Sequence, residues 1–199
     1  EHLSAAMAFC KINSIDICMD EEEVPALDGS AKQWVELFKK AGITKSKEKF
    51  YTVSEPVYYL NSKTSMVILP DKELFMSYAI NYDHKDLTRR WINYNPKNPD
   101  EIIEARTFGF YKDLKKFQML GFARGVTQDN TVGLTDNGYT ADLRSENEQI
   151  KHKILDLVGD LYLTGVNPLN LKAQILVKEA GHAVHIKVAK MLVDKLVEI

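Results

Sequence analysis

The stretch Glu148-Gln-Ile-Lys-His152-Lys-Ile-Leu-Asp156-Leu-Val-Gly-Asp160 combines the apolar spacing of a helix with polar side chains at four-residue intervals. On a helix, His152, Asp156 and Asp160 project from the same face, each one turn from the next. Apolar residues cover much of the remaining circumference, so the sequence predicts a largely buried helix over 146–163. Buried histidine and aspartate side chains need partners, and a metal ion satisfies several of them at once.

The first two residues of the chain, Glu1 and His2, supply further polar groups. A third ligand from His2 would complete a set with His152 and Asp156, and three protein ligands with a fourth position for water make a catalytic zinc site. Glu1 would then be a candidate base for that water. Two alternatives stay open on the residues alone. The His152 and Asp156 pair can be a solvated surface pair, and Glu1 can be a favourable charge at a helix N-terminus.

Five blocks of the sequence, taken in order, resemble the UDP-3-O-acyl-N-acetylglucosamine deacetylases, the zinc enzymes of lipid A biosynthesis. The resemblance covers essentially the whole chain, and the ordered set is far more specific than any single block. The blocks are Glu1-His-Leu-Ser-Ala-Ala6, Val24-Pro-Ala-Leu-Asp-Gly-Ser-Ala31, Ala105-Arg-Thr-Phe-Gly-Phe110, His152-Lys-Ile-Leu-Asp-Leu-Val-Gly-Asp160 and Ala180-Gly-His-Ala183.

The resemblance implies roles for individual residues. His2, His152 and Asp156 match the zinc ligands of the family, and Glu1 matches the carboxylate that deprotonates the attacking water. His182 matches the second catalytic group, which protonates the departing amine or stabilises the developing oxyanion as a cation. Without the resemblance, a helix-capping or core histidine is the favoured interpretation of His182.

Other polar residues are assigned supporting roles. Because a helix N-terminus disfavours a cationic histidine, His182 needs a nearby carboxylate. Asp160 is the predicted orienting group, and Asp28 is a second candidate that otherwise serves only a turn. Thr107 matches the hydroxyl that hydrogen-bonds the tetrahedral intermediate. Lys153 matches a lysine that contacts the nucleotide sugar, and it is otherwise an ordinary exposed helix charge.

An apolar passage for the acyl chain is assigned to the segment that follows the predicted catalytic threonine. Tyr111, Leu114 and Phe117 form one helical stripe there, and each buried methylene contributes about 0.8 kcal/mol. Alternatively, the stripe packs against the sheet as core. The polar Gln128 and Thr131 predict a passage that is short or wet. The residues assigned to the passage are Phe108, Phe110, Tyr111, Leu114, Phe117 and Ala123.

The periodicity of the rest of the chain predicts an α+β fold, with an antiparallel-rich sheet and helices packed on one face. Alternating apolar residues predict strands at 12–20, 50–60, 64–69, 74–82 and 171–178. Helical spacing predicts helices at 3–10, 31–41, 100–106 and 111–120, with a last one from residue 182. Residues 125–137 are predicted to be loop or insert.

The polar segment at 44–49 is the predicted boundary between two units. One strand and two helices cannot bury a sheet face, so we expect residues 1–45 to be the C-terminal part of a first α+β domain in a truncated chain. Residues 46–199 are the expected second domain, with an insert around 107–143. The resemblance implies two similar two-layer sandwich domains with the active site between them.

The composition is that of an ordinary soluble globular protein, with 45% hydrophobic and 27% charged residues. A net charge of -2 gives no electrostatic footprint for nucleic acid. Cys10 and Cys18 make neither a disulfide framework nor a zinc site of recognisable spacing. No signal peptide opens the chain, and no apolar run approaches the roughly 20 residues that span a bilayer. We therefore expect a cytoplasmic protein.

Together these observations predict a zinc-dependent amide hydrolase. The resemblance implies one zinc ion, a nucleotide-sugar substrate with an acyl chain and the cytoplasm of a Gram-negative bacterium, with transient contact with the inner membrane compatible with such a substrate. Two alternatives remain: a zinc hydrolase that acts on a different amide, and a non-catalytic α+β interaction module whose His and Asp pairs are surface features.

Overall fold

The computed structural model describes residues 1–119 and 125–199 of the chain. Two short 3-10 helices, Tyr162–Thr164 and Pro168–Asn170, follow the fifth α-helix. In chain order the elements are α1 (His2–Phe9), α2 (Lys32–Ala41), β1 (Tyr51–Val53), β2 (Val57–Leu60), β3 (Ser65–Pro70), β4 (Phe75–Ile80), β5 (Arg90–Asn93), α3 (Asp100–Ile103), β6 (Thr107–Phe110), α4 (Tyr111–Met119), β7 (Thr131–Thr135), β8 (Gly138–Tyr139), α5 (Glu148–Leu161), β9 (Ala173–Lys178), α6 (His182–Val193) and β10 (Leu196–Glu198).

The main sheet has five strands in the order β2-β3-β9-β4-β5. Its neighbours are antiparallel except for β4 and β9, which run parallel. The predicted α+β class and the strands predicted at 64–69, 74–82 and 171–178 are confirmed. The run predicted at 50–60 is two strands, β1 and β2, separated at 54–56. Pro56 in that break has no backbone N–H to give to a sheet.

Alternating burial on the strands explains why helices cover one face of this sheet. Ala173, Ile175 and Val177 of β9 are buried, and the residues between them are only partly covered. Helices α5 and α6 pack on the sheet, and thirteen of the fourteen residues of α5 are buried. Each fully buried leucine or isoleucine side chain contributes roughly 1.5–3 kcal/mol relative to an exposed one. Helix α5, which was predicted at 146–163, is therefore the central helix of the core.

The strand predicted at 12–20 is wrong. Residues 12–19 form no regular element, and Ile15, Ile17 and Met19 are 39%, 48% and 49% exposed. A strand must pair with a neighbouring strand, and no strand in the described ranges lies alongside this segment. Alternating apolar residues favour an extended strand, but they do not show that a partner strand is present.

The predicted insert around 107–143 contains a small three-stranded sheet in the order β6-β7-β8. Strands β6 and β7 are parallel, and helix α4 makes the crossover between them, as parallel strands require. The prediction that 125–137 is loop or insert missed β7, in which Val132 and Leu134 are buried. The end of the helix predicted at 111–120 lies outside the described residues.

Helix α1 packs against α5. The predicted domain boundary near residue 45 stays a prediction. None of the helices in the described ranges combines the length and the apolar character needed to cross a membrane.

Candidate active site

The contact between α1 and α5 brings the first residues of the chain to the polar face of α5. The buried side of α1 is made of the small residues Ala5, Ala6 and Ala8. On α5, Gly159 faces the backbone of Glu1, and a Cβ at Gly159 would overlap the Glu1 carbonyl oxygen. Because both surfaces are small, the two backbones approach closely, and the side chains of Glu1 and His2 reach the middle of α5.

His2, His152 and Asp156, the predicted ligands, meet at this contact. One donor atom from each lies within 4.8 Å of the others. Asp156 Oδ1 is 3.3 Å from His152 Nε2 and 3.8 Å from His2 Nε2. Among the described residues, His2 Nε2 and Asp156 Oδ1 are buried without a hydrogen-bond partner, an arrangement that is costly in a folded protein. Ligands around a tetrahedral zinc ion are about 3.4 Å apart, so this donor set fits zinc.

The surroundings of both histidines favour the neutral imidazole that a metal ligand needs. His152 Nδ1 lies 3.0 Å from the Ala105 carbonyl oxygen, to which it can only donate, so its Nε2 keeps a free lone pair towards Asp156. Burial lowers the pKa of His152. Burial, with the neighbouring His152 adding to it, lowers the pKa of His2 to about 3. A metal ligand must be unprotonated, and both shifts favour that form.

Lys153 lies against the carboxylate of Asp156. Its Nζ donates to Asp156 Oδ2 at 2.5 Å, and the residue is only 8% exposed. The alternative of an ordinary exposed helix charge is therefore wrong. Although burial works in the opposite direction, His152 and Lys153 hold the pKa of Asp156 well below its usual range. Lys153 thus occupies one oxygen of the carboxylate and leaves Oδ1 for a metal. Its contact with a nucleotide sugar stays a prediction.

His182 stands at the first position of α6, with its ring directed towards α5. Its Nδ1 is 2.8 Å from Asp160 Oδ2, and its Nε2 is 3.7 Å from Asp156 Oδ2. The hydrogen bond to Asp160 raises the pKa of His182. The structure therefore places Asp160 where an orienting group is needed. Asp28, the second candidate, instead accepts hydrogen bonds from Arg144 and Ser30, so it stabilises a turn and was a wrong choice.

A second histidine, His185, shares the Asp160 carboxylate. Its Nδ1 is also 2.8 Å from Asp160 Oδ2, and the side chain is completely buried. On the other side of the ring, Nε2 lies 3.0 Å from the hydroxyl of Tyr78, which donates to the Ala180 carbonyl. No role for His185 was predicted from the sequence. The i,i+3 spacing from His182 was the only available signal, because Tyr78 is distant in sequence.

Glu1 and Thr107 complete the polar lining. A carboxylate oxygen of Glu1 lies within 4.8 Å of donor atoms on Asp156 and His182, and the side chain is exposed. The backbone N–H and hydroxyl of Thr107 both donate to the Gly29 carbonyl, at 2.8 and 3.0 Å. Glu1, Thr107, Asp156 and His182 line a cavity of about 210 Å³. Its lining comprises Glu1, Tyr82, Thr107, Phe108, Gly109, Phe110, Leu134, His152, Lys153, Asp156 and His182.

Aromatic side chains form one wall of this cavity. Phe108 packs edge-to-face on His152 and on Tyr82, with ring centroids 6.1 and 5.6 Å apart, and Phe110 lies 6.3 Å from Tyr82. Tyr82 also lines the cavity and was not predicted as a site residue. Tyr111 and Leu114 are partly buried but do not line the 210 Å³ cavity. For the other two residues assigned to the acyl passage, Ala123 and the side chain of Phe117 lie outside the described residues.

A family model described as UDP-3-O-acyl N-acetylglycosamine deacetylase matches residues 1–194. The chain belongs to this family. The family resemblance found in the sequence is confirmed. A UDP-3-O-acyl-N-acetylglucosamine deacetylase of Leptospira biflexa is 37% identical over 204 residues, which cover 98% of this chain and 66% of that protein. A deacetylase with the same name from Thermodesulfovibrio yellowstonii is 33% identical, covering 98% of this chain and 68% of that protein.

A third deacetylase of the family, from Thermosynechococcus vestitus, is 30% identical over 201 residues, which cover 99% of this chain. The chain spans about two thirds of the length of the curated deacetylases it matches. All three proteins match across almost the whole of this chain, so the similarity includes α1, α5 and α6, which carry the site.

Proposed function

We propose that the chain hydrolyses the acetamide of UDP-3-O-(3-hydroxyacyl)-N-acetylglucosamine with zinc as cofactor. This reaction releases acetate and is the committed step of lipid A biosynthesis, and we place it in the bacterial cytoplasm. The observation that carries the proposal is the pair of buried, unpartnered atoms His2 Nε2 and Asp156 Oδ1. The two atoms are 3.8 Å apart, and Asp156 lines the cavity that also holds Glu1, His152 and His182.

His2, His152 and Asp156 would hold the zinc ion. When bound, zinc would act as a Lewis acid on the acetamide carbonyl and would make a water easier to ionise. The exposed carboxylate of Glu1 takes the proton of the attacking water, because it is the nearby acid that is neither buried nor hydrogen-bonded to a histidine. The imidazole of His152 keeps its orientation through Ala105.

His182 and Thr107 act on the other side of the reacting carbonyl. The raised pKa of His182 favours its cationic form, which gives its proton to the departing amine. Asp160 holds the ring by its Nδ1, which leaves Nε2 directed into the cavity. The hydroxyl of Thr107 turns from the Gly29 carbonyl to the developing oxyanion. The Thr107 backbone N–H keeps its own bond to Gly29, so the segment stays anchored.

The pH dependence of the reaction follows from His182. Its pKa lies above the ordinary 6.5, so the proton donor is present at lower pH and is lost as the pH rises through the raised pKa. We expect Asp160→Asn to lower that pKa and to move the basic limb of the kcat profile to lower pH. His182→Ala should remove the limb. Asp71→Asn, which changes an exposed carboxylate bound to Gln174, is the control. A basic limb unmoved by Asp160→Asn would contradict the assignment.

The substrate assignment is tested by acetate release from UDP-N-acetylglucosamine with and without a 3-O-hydroxyacyl chain. We expect the acylated substrate to be hydrolysed, with kcat/KM rising a few-fold per added methylene up to the length of the passage. A chelator should abolish the reaction and zinc should restore it. Zinc binding with hydrolysis of another amide only would favour a different hydrolase. Absence of both zinc binding and hydrolysis would favour a non-catalytic module.

A further inference from the structure

One peptide unit beside the candidate active site is held at both ends by helix α5. It joins Ala105 to Arg106. Its carbonyl oxygen lies 3.0 Å from Nδ1 of His152, and its N–H donates to Oε1 of Glu148 at 3.0 Å. Glu148 and His152 are four residues apart and project from the same face of α5. The orientation of the peptide plane is therefore fixed by two side chains of the helix that carries the metal ligands.

The carboxylate of Glu148 is fully buried, and it accepts hydrogen bonds from Arg106 and Arg144. Besides the Arg106 N–H, it accepts from Arg106 Nε at 2.8 Å and Nη2 at 3.2 Å, and from the backbone N–H of Arg144 at 2.7 Å. Arg106 Nη2 also donates to the Asp142 carbonyl. A buried ion pair is seldom the most stabilising way to fill a core. Its fixed geometry is what an apolar pair at this place would lack.

The held peptide unit has a functional group on each side of it. On one side, the Ala105 carbonyl accepts from His152 and so selects which ring nitrogen faces the ligand cluster. On the other side is Thr107, whose backbone N–H and hydroxyl are both anchored on Gly29. A rotation of the Ala105–Arg106 peptide would move both groups at once.

We propose that Glu148 is a positioning residue that acts through Arg106 and the Ala105–Arg106 peptide on the imidazole of His152 and on Thr107. The hydrogen bonds of the Glu148 carboxylate go to Arg106 and Arg144, not to the side chains of the ligand cluster. The proposal rests on the proposed function for the roles of His152 and Thr107, but its effect on metal binding can be measured without any substrate. Loss of an outer partner of a metal-binding histidine typically weakens metal binding about 10- to 100-fold.

The test compares Glu148→Gln with the wild-type protein, using Zn²⁺ or Co²⁺ alone as the probe. Glutamine keeps the shape but turns an NH₂ group towards N–H donors. We expect zinc affinity to fall about 10- to 100-fold, the Co²⁺ absorption spectrum to change, and kcat to fall with little change in KM. Arg106→Lys, which keeps the charge but loses the two-pronged contact, is the second variant, with a smaller loss of the same kind. It carries the test if Glu148→Gln does not fold.

The matched control is Val177→Ala, which weakens the buried core of β9 without touching the peptide. It should lower thermal stability and leave metal affinity and the Co²⁺ spectrum as in the wild type. If folded Glu148→Gln or Arg106→Lys protein behaves in the same way, the pair serves stability only and the proposal is overturned. A wild-type protein that binds neither metal would instead overturn the proposed function.

Discussion

Glu1→Gln is expected to leave zinc bound and to lower kcat by about 10²- to 10⁴-fold, the usual contribution of a positioned general base. Glutamine has the size of glutamate and can hydrogen-bond a water, but it cannot accept the proton. Glu1 is outside the set of three ligand residues, although its carboxylate lies within 4.8 Å of donor atoms on Asp156 and His182. In this variant kcat should therefore fall while the metal content stays as in the wild type.

Glu23→Gln is the matched control for this experiment. Glu23 lies on the wall of a neighbouring cavity of about 860 Å³, which also includes Glu1, His2 and Thr107. It makes the same chemical change near the site without removing the base. Full activity in Glu1→Gln, with normal activity in the control, would exclude Glu1 as the base.

His152→Ala should reduce zinc content from one equivalent to a small fraction and abolish deacetylation. The substitution removes one of three ligands and leaves the Ala105 carbonyl without the ring that donates to it. Metal analysis of protein purified without chelators measures the zinc content. A thermal unfolding curve measures the effect of losing the buried hydrogen bond to Ala105.

His84→Ala is the control for His152→Ala. His84 is also buried, at 6% exposure, but its Nε2 bonds to the Gly138 carbonyl in the small sheet, outside the ligand cluster. Truncation of this histidine should affect stability and leave zinc stoichiometric. Stoichiometric zinc in His152→Ala would refute the ligand assignment.

The parts of the fold that were predictable are those whose periodicity reports burial directly. Helix α5 and strand β9 carry long, regular apolar patterns and form where predicted. Strands β5 and β10 were missed because their residues are mostly exposed, so no buried face marks them. Strand β7 was missed because Thr and Gly hide a short buried run. The segment 12–20 has the reverse problem, since its alternation is clear but it has no partner strand.

The residues of the candidate site also divide into those that the sequence predicts and those that it does not. Helical spacing alone brought His152, Asp156 and Asp160 to one face, because those positions are linked by local geometry. His2 was a candidate ligand from its residue type, but only the family resemblance linked it to His152 and Asp156, since nothing local connects α1 to α5. The network of His185 and Tyr78 and the pair of Arg106 and Glu148 were invisible in the sequence. Their partners are distant along the chain, and only tertiary packing brings them together.

The ligand cluster joins the beginning of the chain to a helix near its end, so the site is assembled only when the fold is complete. In the unfolded chain His2 is far along the sequence from His152 and Asp156, so the three residues no longer bind an ion together. Binding and folding are then thermodynamically linked, and occupancy adds RT ln(1 + [L]/Kd) to the free energy of unfolding. The supply of the metal would thus govern how long each molecule stays folded as well as how fast it turns over.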